Sequence, residues 1–116
     1  MSNKKVCVVG GAGHVGAPLG LAFGSKGYNV ILIDKDKKNI KKINDGVMPF
    51  IEKGCSNLLR KMISKKKIFA TNKLSEVTNC KFIIICIGTP VNKKLYPNLK
   101  NFLNFFKNLK KYLNKN

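Results

Sequence analysis

At 116 residues, 44% of them hydrophobic, the chain suits one domain with one modest core and is too short for two. Its formal net charge of +18 is almost all lysine, Arg60 being the single arginine. Nucleic-acid readers rely on arginine forks and aromatic-rich basic motifs, so the charge reads as solvated lysine faces, with no nucleic-acid partner expected.

The first apolar run, Val6–Val9, is continuous, as in a strand buried on both faces. Glycines follow it, then a helical stretch from about His14 to Lys26, stopped by Gly27. Asn29–Asp34 (NVILID) predicts a second buried strand. Asp36 can cap the next helix, which carries Ile40 and Ile43 on one face and ends at Gly46. Residues 47–54 are irregular around Pro49. A third helix is expected over Ser56–Lys65, with Leu58, Leu59, Met62 and Ile63 as its apolar stripe. Ile68–Thr71 is a short strand, Leu74–Val77 a helical turn, and Lys81–Ile87 (KFIIICI) the most apolar strand of all. A polar loop from Gly88 to Pro97 leads to a last helix capped by Asn98. Its Leu99, Phe102, Leu103, Phe106, Leu109 and Leu113 form a stripe read as core-facing, with a basic membrane-surface helix as the alternative.

Strands alternating with helices predict an α/β fold with a parallel sheet. The four cysteines, Cys7, Cys55, Cys80 and Cys86, make no C-x-x-C, and His14 has no second imidazole, so no metal site is expected. Cys7 and Cys86 read as small buried hydrophobes of a reducing cytoplasm. No secretory leader is seen, and no run approaches the ~18–20 apolar residues of a membrane span.

Gly11-Ala12-Gly13-His14-Val15-Gly16 fits G-x-G-x-x-G in the context that gives it meaning, after a strand and opening a helix. Gly11 is expected to make the tight turn, Gly13 to admit a pyrophosphate, and Gly16 to let helix and strand pack closely. Gly20 and Gly24, with Ala17 and Ala22, are expected to keep the helix thin against the sheet. The amides near His14 and Val15 can then hold phosphate oxygens. Asp34, eighteen positions after Gly16 at the end of the second strand, is placed for the adenosine ribose hydroxyls. A carboxylate there repels a 2′-phosphate, which favours NAD over NADP. The alternative for Asp34 is a helix cap. His14, at the pyrophosphate turn, is read as bordering the cofactor and not as catalytic.

With these segments and Cys86-Ile87-Gly88-Thr89-Pro90-Val91, the chain resembles the UDP-glucose/GDP-mannose dehydrogenase family. The look is nearest to the UDP-N-acetyl-mannosamine branch. INDGVMPFIEKGCSNLL and Pro97-Asn98-Leu99 extend the likeness over nearly the whole chain. Pro18, unusual inside a helix but tolerable in its first turn, fits the family pattern. The resemblance implies NAD as cofactor, backbone contacts from His14 and Val15, a ribose contact from Asp34, and a nicotinamide-side contact from Thr89. It assigns Glu52 no chemistry. Asn39 stands roughly where the family usually has a basic residue.

The family oxidises a nucleotide-sugar primary alcohol twice to a uronic acid, through a cysteine thiohemiacetal. Those residues lie in later segments, so residues 1–116 are read as the N-terminal part of a Rossmann-like doubly wound domain, with sheet order 3-2-1-4 and no catalytic residue. A UDP-sugar is expected to bind only with the further domains. A non-catalytic NAD-binding or partner-binding module remains the alternative, as does a second chain completing the sheet beside KFIIICI.

Overall fold

Successive side chains of a strand point to opposite faces of its sheet, so continuous apolar runs require cover on both sides. A computed structural model describes residues 4–86 and 99–113. Strands β1 (Lys5–Val9), β2 (Asn29–Ile33), β3 (Ile68–Thr71) and β4 (Phe82–Ile85) form one parallel sheet in the order β3-β2-β1-β4, as the doubly wound reading requires. Helices α1 (Gly16–Ser25), α2 (Lys37–Asn44) and α3 (Cys55–Ser64) connect the first three strands. A 3-10 helix (Leu74–Asn79) precedes β4, and α4 (Leu99–Lys110) is the last helix described.

The alternation sorts the core into two layers. Val6, Val8, Val30, Leu32, Ile68 and Ala70 face Leu21 of α1, Ile43 of α2 and Leu59 and Met62 of α3. Cys7, Val9, Ile31 and Ile33 face Val77, Leu109 and the half-buried Phe105 and Phe106. Removing each such aliphatic side chain from water contributes ~1.5–3 kcal/mol, so the central pair β1 and β2 anchors the domain.

Several local expectations change. Ala22 is exposed, and α1 is thinned against the sheet by Ala17 and Gly20, a Cβ on Gly20 falling 2.5 Å from Leu32 Cδ2. Gly24 chiefly makes room for α3, where Met62 Sδ would lie 3.1 Å from its Cβ, with Val30 Cγ2 of β2 at 3.9 Å. The stripe on α4 is wider than the surface it covers: Leu109 is buried, whereas Leu103 is exposed, and the expected stripe residue Leu113 lies past the helix end and is exposed. The last strand is shorter than its apolar run, and Cys86 beyond it is only half-buried.

The sheet edges also differ. On β3, Asn44 of α2 donates from Nδ2 to the Ala70 carbonyl at 2.9 Å and accepts from the Ala70 amide at 2.8 Å. One side chain thus replaces a neighbouring strand there. On β4, an edge among the described residues, Phe82 and Ile85 remain 49% and 37% exposed. Among the described residues no helix is long and apolar enough to cross a membrane.

Candidate dinucleotide site

The glycine loop links β1 to α1 and lies against the end of β2. Its left-handed residue is Gly10, with φ of +83°, so the tight turn expected at Gly11 falls one residue earlier. The Gly10 and Gly11 amides both donate to the Ile33 carbonyl, at 2.7 and 3.0 Å. Gly11 is required for close approach: a Cβ there would sit 2.7 Å from Leu32 Cβ and 2.8 Å from Leu32 Cα. Gly16 serves loop–helix packing, since its Cβ would overlap the Gly10 carbonyl and not the strand.

Gly13 is different. The nearest atom to a Cβ built there is the Gly10 carbonyl oxygen, at 3.5 Å, an ordinary contact. Its φ is not positive, and no protein atom crowds it. The space beside Gly13 is therefore a cradle that a side chain would fill and the protein leaves open.

The start of α1 carries no competing charge or cap. Val15 occupies the N-terminal cap position without a side-chain hydrogen bond, and the first turn contains no acidic residue. Among the described residues, the amides of His14 and Val15 have no acceptor. Pro18, in the first turn of α1, brings no N–H that would need one. A helix start of this kind favours an anion through its free amides and its dipole. The His14 ring stacks on Phe50, with centroids 4.2 Å apart and planes inclined by 25°.

Asp34 follows β2 directly and reaches back to the loop. Its Oδ2 accepts from the Ala12 amide at 3.0 Å and its Oδ1 from the Asp36 amide at 3.1 Å. The cap of α2 is Asp36, whose Oδ1 accepts from the Asn39 amide at 3.1 Å. Each Asp34 oxygen keeps a further lone pair for an outside donor. Gly11, Gly13, His14, Val15, Gly16 and Asp34 are thus gathered around one loop, while Thr89 lies outside the described residues. Sequence reasoning missed Gly10 and Phe50. The doubled glycine (Gly10-Gly11) was the signal for the first, and the second lay in the Pro49–Gly54 part of the family-like segment without a contact to His14 being foreseeable.

Cys86 lies at the glycine-loop end of the sheet, its amide donating to the Val9 carbonyl at 2.7 Å, and the other thiols lie apart from the loop. Cys80 precedes β4, at the end of the sheet opposite the glycine loop. A hydrogen bond from the buried Cys7 to Cys80, together with burial, pushes the Cys7 thiol far up. The same bond, aided by Lys5, draws Cys80 below an ordinary thiol against burial and Glu76. Burial, with the charge of Glu52, raises Cys55. Among the described residues no three His, Cys, Asp or Glu side chains cluster as metal ligands would.

A glycine turn at the carboxyl end of a central parallel strand, a bare helix start and a carboxylate closing the adjacent strand define a dinucleotide-binding domain of the doubly wound class. The pattern of the UDP-glucose/GDP-mannose dehydrogenase family, NAD binding domain, matches residues 4–116, and the chain belongs to this family. It is 34% identical over 82 residues to the UDP-N-acetyl-D-mannosamine dehydrogenase of Pyrococcus horikoshii, covering 71% of this chain and 20% of that protein. It is 33% identical over 91 residues to the UDP-glucose 6-dehydrogenase TuaD of Bacillus subtilis, covering 78% of this chain and 20% of that one. The solved ternary complex of GDP-mannose dehydrogenase from Pseudomonas aeruginosa shares the fold, with a TM-score of 0.86 at 24% identity over 95% of this chain and 25% of that one. The chain thus spans about a fifth of the length of the two relatives compared in sequence. The cofactor of the domain is NAD.

Proposed function

We propose that residues 1–116 form the NAD-binding unit of a nucleotide-sugar dehydrogenase that oxidises the primary alcohol of a UDP-sugar to the uronic acid. The observation that carries this reading is the bare start of α1 beside the uncrowded Gly13, with Asp34 tied to the same loop. Gly11 and Gly16 hold the loop in shape, Gly13 admits the pyrophosphate, and the His14 and Val15 amides donate to its oxygens. Asp34 receives the adenosine ribose hydroxyls through its remaining lone pairs. Thr89 is assigned to the nicotinamide side on family resemblance. Bound NAD supplies a hydride acceptor. None of the residues placed here is assigned to the transformation of a sugar nucleotide, so residues 1–116 by themselves bind NAD without turnover. The names of the two relatives compared in sequence support a UDP-sugar, and the free thiols fit a reducing cytoplasm.

Calorimetric titration of the chain with NAD and NADP tests the reading. NAD binds more tightly than NADP, and Asp34→Ala weakens NAD. Equal affinity for both dinucleotides, or an Asp34→Ala variant with unchanged NAD affinity, refutes the ribose assignment. NADH formation by the purified chain with a UDP-sugar refutes the expectation that these residues alone do not turn over.

A further inference from the structure

Ala12, the residue between Gly11 and Gly13, is buried, and both its backbone polar groups are held by side chains that come after β2. Its N–H donates to Asp34 Oδ2 at 3.0 Å, and its carbonyl accepts from Asn39 Nδ2 at 3.3 Å. Asn39 is itself fixed in the first turn of α2, where its amide donates to Asp36 Oδ1 at 3.1 Å. The Ala12–Gly13 peptide is consequently held at both ends, its oxygen by Asn39 and its N–H by the Gly10 carbonyl at 3.2 Å.

We propose that Asn39 is a positioning residue for the dinucleotide pyrophosphate: with Asp34 it clamps Ala12 and presets the loop that leads to the His14 and Val15 amides. This rests on the NAD reading above. Asn39 acts through Ala12 and not on the phosphates. A loop left to order itself on binding loses side-chain and backbone freedom at that moment, which weakens affinity, and a loop already clamped does not. The clamp needs a donor opposite the Ala12 carbonyl. Leucine at position 39 has asparagine's reach without the donor, and aspartate presents an acceptor to an acceptor.

The test uses the full chain, with NAD and adenosine as probes, for the Asn39→Leu and Asn39→Asp variants. Aspartate preserves size, so one variant remains informative where the other unfolds. In both, the NAD dissociation constant rises about three- to tenfold, the worth of one hydrogen bond. Adenosine, which has no pyrophosphate, keeps its affinity. Without ligand, the Gly13 amide exchanges faster with solvent while amides of β1 and β2 do not. NAD affinity equal in the unmodified chain and both variants overturns the clamp alone. Equal weakening of NAD and adenosine overturns it too, because a general structural role would do that. Absence of NAD binding by the unmodified chain overturns the NAD reading and the pyrophosphate role together, and unchanged Gly13 exchange shows that the clamp itself is absent.

Discussion

Two alanine substitutions two residues apart should separate folding from binding. In Gly11→Ala the new Cβ meets Leu32 Cβ at 2.7 Å, Leu32 Cα at 2.8 Å and the Val8 carbonyl oxygen at 2.8 Å, all well inside the 3.4 Å at which ordinary contact begins. Two of these atoms are backbone and the third is bonded to it, so no rotamer change relieves them and the loop must lift off β2. Overpacking of this kind costs about 1–3 kcal/mol. Restricting the unfolded chain returns about 0.4–1 kcal/mol. The net loss of up to roughly 2.5 kcal/mol lowers the melting temperature by as much as roughly 10 °C for a domain of this size. In Gly13→Ala the only neighbour is an oxygen at 3.5 Å, so the unfolded-state term stands alone and stability is unchanged or slightly raised. Its methyl, however, occupies the space proposed for the pyrophosphate, and NAD affinity falls by about tenfold or more, the equivalent of some 1.4 kcal/mol. Thermal melts followed by circular dichroism, with calorimetric titration of NAD, read both quantities. If Gly13→Ala destabilises as much as Gly11→Ala, the space beside Gly13 is not open. If Gly13→Ala binds NAD as the unmodified chain does, the pyrophosphate does not approach there.

Asp36→Ala removes the side-chain cap of α2 and lowers stability by about 1 kcal/mol in denaturant titrations, an exposed helix end being partly rescued by water. Asn44→Leu leaves the Ala70 amide and carbonyl unpaired on the β3 edge. It costs about 1–3 kcal/mol and increases light scattering on warming, because an uncovered edge recruits other strands. Iodoacetamide labelling resolved by peptide should modify Cys80 ahead of Cys7 and Cys55. A lowered thiol pKa places its thiolate at lower pH, so the Cys80 labelling midpoint falls below that of a free cysteine. Cys7→Ala removes the hydrogen-bond donor and moves that midpoint back up. A Cys80 midpoint indifferent to Cys7→Ala would mean that the two sulfurs do not interact.

Much of the architecture was legible because it depends on short-range pattern. Buried parallel strands need uninterrupted apolar residues, and helices need stop and cap signals, so Val6–Val9, NVILID, Ile68–Thr71, the Asp36 cap and the glycine stops could be placed along the chain. The order β3-β2-β1-β4 followed from topology, since a doubly wound sheet starts at its centre. The glycine loop and Asp34 were readable for the same reason: G-x-G-x-x-G has a meaning fixed by the strand before it and the helix after it.

What the sequence could not supply were contacts set by distance between elements far apart in the chain. That the turn conformation belongs to Gly10, and that Gly11 is pressed on Leu32, depends on how closely the loop lies on β2. That Leu103 on α4 stays exposed while Leu109 is buried depends on how much of the helix the sheet can cover, which periodicity does not encode. That Asp34 bonds the Ala12 amide, while Asp36 caps α2 as expected, depends on how the end of β2 meets the loop. The hydrogen bond from Asn39 to Ala12 spans 27 residues and leaves no periodic trace. The sequence by itself determined which segments are strands and helices and where a dinucleotide could be met, because local sterics and burial act between near neighbours. Only the tertiary structure decided which side chains hold the loop that meets it, because those bonds exist only once β1, β2 and α2 are brought together.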